Sequence, residues 1–141
     1  MCATMNMSCN LNIRGGVGLA YTINWERNGA YISYSDRVTF AQFMGAVLEI
    51  HADINYTTTK YVIHDMLAAS ELDFSGLDMT AMVAHELGAR FTNPNVRPAV
   101  VSSDPNMEAS TRAFSDLTRL DVGFFSTVSQ ARAWGTAAPA R

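Results

Sequence analysis

Cysteine is scarce in this 141-residue chain, and both copies, Cys2 and Cys9, fall in the first ten residues. They match no CxxC spacing and have no histidine nearby, which excludes a thiolate zinc cluster and argues against a disulfide framework. The expected setting is therefore reducing and cytoplasmic. Long apolar runs are also lacking. No stretch approaches the ~18 residues of a membrane span, so none is expected. The opening MCATMNMSCNLNIRGGVGLA has no charged start followed by an apolar run and does not read as a signal peptide. Basic runs are missing as well. Ten Lys and Arg stand against thirteen Asp and Glu, a net charge of −3, which is the wrong sign for a nucleic-acid partner. No internal repeat or low-complexity linker divides the chain.

What is present suits one globular domain. Hydrophobic residues make up 48% and charged residues 16%. A chain of this length buries about 68–70% of its extended surface on folding, enough for one core without staples. The expected organisation is a polar lead-in over 1–18, a domain over 19–136 and a frayed tail over 137–141.

The pattern within the domain alternates. LAYTINW (19–25) and AYISY (30–34) alternate in polarity around an Asn-Gly turn, which predicts a β-hairpin. Thr39 and Gln42 form a capping box, and Phe40, Phe43, Met44, Val47 and Leu48 follow at helical spacing, predicting a helix over 39–51. KYVIHDM (60–66) predicts a strand and LAASELDFSG (67–76) a loop. Asp78 is an N-cap for a helix with Met79, Met82, Val83 and Leu87 as its buried stripe, stopped at Asn93-Pro94. VRPAVV (96–101) predicts a strand whose proline suggests an edge or an end. Asp104-Pro105 opens a helix with Met107, Phe114 and Leu117 inward, running to about 119. VGFF (122–125) is a short strand. Thr127 and Gln130 cap a last helix carrying Ala131 and Trp134, with Gly135 ending it. The order ββαβαβαβα predicts an α/β fold with a mixed sheet and four helices packed on it.

Several constellations are candidates for chemistry. His85-Glu86 resembles half of a zincin helix, but the position four residues on is Ala89, so no second metal ligand exists there. The plain reading is a surface histidine beside an exposed Glu86–Arg90 pair. His64 and Asp65 end the predicted third strand, where α/β sheets gather ligand-binding groups. Adjacent strand residues point to opposite faces, so the two do not face one another. No serine lies in a GxSxG elbow, and the Gly-rich 14–18 segment precedes a strand, the wrong context for a phosphate loop. An enzyme using Asp65, Ser102 and Asp104 is the weakest reading. No catalytic residue, metal or cofactor is assigned. In the segment from Asp73 to Asp78, Ser75 and Gly76 form a turn before a helix N-terminus, a place that favours anions. Two flanking carboxylates oppose a phosphate on Ser75.

From about Ala20 to Trp134 the chain resembles the STAS-like domains of anti-sigma factor antagonists, and more closely the small bacterial proteins grouped as STAS/lipid-transfer-like. The resemblance rests on TFAQF (39–43), YVIHD (61–65), DFSGLDMTAMV (73–83) and DVGFFSTVSQARAWG (121–135). It implies a regulatory protein-interaction module, not an enzyme. Its binding loop would comprise Asp65, Asp73, Phe74, Ser75, Gly76 and Asp78. Antagonists of this type carry a phosphorylated serine in an Asp-Ser-Ser-Gly-Leu loop. Here Asp73, Ser75, Gly76 and Leu77 match that loop, while the acceptor position is Phe74. Phospho-switching at the usual position is therefore not expected. The lipid-transfer side of the resemblance implies an alternative, a lipid or other apolar ligand held between sheet and helices by Phe43, Met44, Met82 and Phe114. A hairpin edge offers one route to a homodimer.

Overall fold

The computed structural model describes residues 21–137. The lead-in over 1–18 and its cysteines lie outside the described residues, as does the tail beyond 137. The elements run β1 (Tyr21–Trp25), β2 (Gly29–Thr39), α1 (Phe40–Ala52), a 3-10 turn (Ile54–Thr58), β3 (Tyr61–Asp73), α2 (Met79–Ala89), β4 (Arg97–Val101), α3 (Pro105–Thr118), β5 (Gly123–Phe125) and α4 (Val128–Thr136). The strands form one sheet in the order β1-β2-β3-β4-β5. β1 and β2 are antiparallel, and every later pairing is parallel. The mixed sheet opened by a hairpin, with four helices, is the architecture that the alternation predicts.

Side-chain alternation splits the core. Ile32, Tyr34, Val62, Met66 and Val100 point to one face and pack with Ala46 and Ile50 of α1 and Met107 of α3. Ile63, Ala99 and Val101 point to the other, where Ala131 of α4 meets them. Thr39 caps α1 through Gln42 N at 3.2 Å, and Gln42 Oε1 accepts from Thr39 N at 2.8 Å, so the capping box is complete. Asp78 and Asp104 accept from Ala81 N (3.0 Å) and Asn106 N (2.8 Å) as N-caps.

Some expectations need correction. β3 does not end at 66. It runs to Asp73 because β2 also continues to Thr39 and pairs with it throughout, with register shifts after Ser33 and at Asp36–Arg37. Asp36 absorbs the irregularity at φ 60°, a conformation aspartate tolerates better than most residues. The expected loop over 67–76 is thus mostly strand. Pro98 does not mark an edge, since β4 lies between β3 and β5. Arg97 N donates toward β3 at Lys60 O, so Pro98 faces β5, whose ladder begins only at Ala99. The missing N–H costs no ladder bond. Helix α2 buries no residue fully, and Leu87 is 41% exposed. Leu117, expected inward, is 62% exposed. Gly135 does not end α4. It lies inside the helix, where a Cβ would come 2.7 Å from Tyr61 Cβ.

Candidate functional site

The turn after β3 is built from both ends. Leu77 N donates to Phe74 O at 3.0 Å, closing a four-residue turn. Asp73 Oδ1 accepts from Ser75 N at 3.1 Å, and its Oδ2 pairs with Arg37 of β2. Hydrogen bonds from Ser75, then the Arg37 charge, hold the Asp73 carboxyl below its ordinary range. Asp78 is committed to capping α2. Phe74 turns inward, 5.8 Å from the Phe40 ring and 5.5 Å from Phe43. Ser75 and Gly76 are left exposed at the tip, and a Cβ on Gly76 would meet nothing within 4 Å. Phe74 is therefore an anchor for the turn.

Asp65 does not join this turn. It is buried on the face of α4, where Tyr31 donates its hydroxyl to Oδ2 at 2.5 Å and Leu67 N donates to Oδ1 at 3.0 Å. Ser102 accepts from Asp104 N at 3.1 Å, and no hydrogen bond joins either residue to Asp65 among the described residues.

An apolar cavity of about 80 Å³ lies beneath α2, between α1, α3 and β4. Phe43, Met82 and Phe114 line it, as do Phe74 and Leu77 of the turn, so the turn and the cavity are adjacent. Met44 is not among its lining residues.

Periodicity alone did not single out the polar cluster at one end of this cavity. His51 of α1 stacks on His85 of α2, ring centroids 5.0 Å apart, and lies 4.8 Å from the Tyr56 ring. His51 Nε2 sits 3.5 Å from Glu86 Oε1. Burial, then His85, lowers His51 to about 4, so it is neutral at pH 7 and the contact is not an ion pair. Burial raises the Glu86 carboxyl. His85 is thus not a surface histidine, and Glu86 turns to His51 while Arg90 donates to Val96 O at 2.6 Å. His64 is 6% exposed and shares a 2.9 Å hydrogen bond with the Tyr34 hydroxyl. Burial, then His51, lowers it to about 3. The sequence offered only a partial signal: His51 falls four residues after Val47, in helical register with the predicted core stripe. Among the described residues no group of three His, Cys, Asp or Glu is placed to hold a metal ion. Nor is any described helix long and apolar enough to cross a membrane.

This arrangement, a hairpin-opened mixed sheet with a short turn leading from its central strand into a helix, defines the STAS-like fold. Solved structures resemble this one in fold. The anti-sigma factor antagonist SpoIIAA in its unphosphorylated form matches with a TM-score of 0.59 at 13% identity, over 84% of this chain and 100% of that one. SpoIIAA of Bacillus in its phosphorylated form, described as a cell fate determinant, matches at 0.55 and 16%, over 82% and 98%. An uncharacterised DUF3478-family protein of Shewanella loihica with a SpoIIAA-like fold matches at 0.51 and 16%, over 82% and 91%. No protein-family model and no curated protein matches the sequence.

Proposed function

We propose that this chain is a non-enzymatic regulatory module that docks a protein partner through the turn 74–77 and the start of α2, without phospho-switching at the acceptor position. The observation that carries the reading is the inward Phe74. Its ring, packed on Phe40 and Phe43, fixes the turn from below, while Ser75 and Gly76 form an exposed polar tip. A preformed tip binds without an ordering cost. The SpoIIAA-like fold supports the class of function by analogy of architecture. The test is affinity capture with Ser75→Arg/Gly76→Arg, both exposed changes that leave the core alone. A partner held by the parent is lost from the variant. Unchanged capture rejects the docking role.

A second reading has its own support. The cavity beneath α2 fits a small apolar-ligand binding protein, since its wall is almost wholly apolar and it adjoins a helix with no fully buried residue. Native mass spectrometry of the purified protein then shows a bound apolar mass. A wholly ligand-free spectrum, with no shift on adding apolar compounds, rejects it.

A further inference from the structure

The apolar cavity is not closed by apolar groups alone. A second, smaller chamber of about 20 Å³ adjoins it, and Val47, His64, Glu86 and Pro98 line both. Its remaining wall includes His51 and Tyr56. His51 Nδ1 and the Tyr56 hydroxyl are buried without a hydrogen-bond partner, as is Nε2 of His85, whose ring stacks on His51 outside this wall. Tyr56 is 1% exposed, and the His51 side chain 11%. An orphaned buried polar atom is destabilising, so His51 Nδ1 and the Tyr56 hydroxyl, neighbours at the end of an apolar cavity, are a cost that a bound group would remove.

From this juxtaposition we infer that the two chambers form one ligand site for a short unbranched alkyl chain bearing a hydroxyl, with the hydroxyl seated between His51, Tyr56 and Glu86. The inference rests on the apolar-ligand reading above and adds the chemistry of the ligand's head.

The polar groups select a hydroxyl. His51 Nε2 lies 3.5 Å from Glu86 Oε1 and Nδ1 has no partner, so a hydroxyl, which both donates and accepts, meets Nδ1 in either tautomer of the ring. Tyr56 can donate or accept. A single hydroxyl set between Nδ1 and the Tyr56 hydroxyl, donating to one and accepting from the other, satisfies both orphans. A carboxylate head would set a second negative charge beside Glu86. An ammonium has donors only and no acceptor lone pair, so it serves Nδ1 in only one tautomer of the ring. His85, stacked on the His51 ring, is the other titratable group beside the head. Size selects the tail. A cavity of about 150 Å³ holds benzene, and the larger chamber here is about 80 Å³. It therefore takes a few methylenes in single file more readily than a ring.

The test is an NMR titration of the full chain with 1-butanol and with 1-fluorobutane, which has the same tail and no hydroxyl donor. The expected result is shifts at residues around both chambers, with butanol bound about three- to tenfold more tightly. Tyr56→Phe removes an orphaned hydroxyl without opening a cavity, so the fold persists. That variant is expected to lose most of the preference while keeping its affinity for 1-fluorobutane. Equal affinity of the two probes in the parent overturns the hydroxyl assignment and leaves the apolar-ligand reading intact. A preference untouched in Tyr56→Phe overturns the placement of the head. If neither probe shifts the cavity residues, this inference and the apolar-ligand reading fall together.

Discussion

His64 is neutral because the sheet and α1 leave it no water, and this fixes how the protein responds to acid. Its pKa is lowered from 6.5 to about 3, and that of His51 to about 4. Both are bases depressed by folding, so the unfolded chain binds more protons below pH 6.5. Stability should fall as pH drops from about 6.5 toward 4, and further toward 3, by up to about 1.4 kcal/mol per pH unit per histidine. Glu86, raised by burial, acts in the opposite sense and offsets part of the loss. Urea melts between pH 7 and pH 4 check this, and a flat profile contradicts it. The hydrogen bond between Tyr34 and His64 is fully buried. Tyr34→Phe leaves the imidazole without it and should cost about 1–2 kcal/mol, read as a lower urea midpoint. Little of this was legible in the sequence. The opposite facing of His64 and Asp65 follows from strand alternation, and Asp65 indeed reaches Tyr31 on the α4 side. The meeting of His51, Tyr56 and His85 depends on how two helices and a 3-10 turn converge, which no local pattern encodes.

Among the elements, the capped helices were the most legible. Thr39, Asp78 and Asp104 each place an oxygen where an orphan N–H needs one, and that is a matter of a few adjacent residues. The long partnership of β2 and β3 was not, because SELD and SDR carry no apolar alternation. The residues pair because the strands continue side by side and Arg37 reaches Glu71 and Asp73 across the ladder. The stripe assigned to α2 failed for a related reason: the helix lies over an open cavity instead of a filled core. Two glycines test these placements. Gly88 sits within α2, and a Cβ added there would meet nothing within 4 Å, so Gly88→Ala should stabilise by about 0.5–1 kcal/mol through helix propensity. Gly135 permits α4 to lie against Tyr61, so Gly135→Ala should destabilise by about 1–3 kcal/mol through overpacking. Thermal melts that rank the two variants in the reverse order contradict both placements.

At the scale of the whole molecule, the hairpin-opened sheet presents one turn, Phe74–Leu77, anchored from below where Phe74 packs on Phe40 and Phe43, and exposed at Ser75 and Gly76. Over Asp73–Leu77 the resemblance at four residues and the departure at Phe74 are visible in the sequence alone. The effect of the departure is not, since only packing shows that Phe74 is an inward anchor. The most direct measurement compares affinity capture from source cells by three samples: the parent, the parent after phosphatase treatment, and Ser75→Arg/Gly76→Arg. A constitutive docking turn predicts that the first two hold the same partner and the third loses it. A partner gained or lost on phosphatase treatment, or one retained by the double variant, contradicts the account.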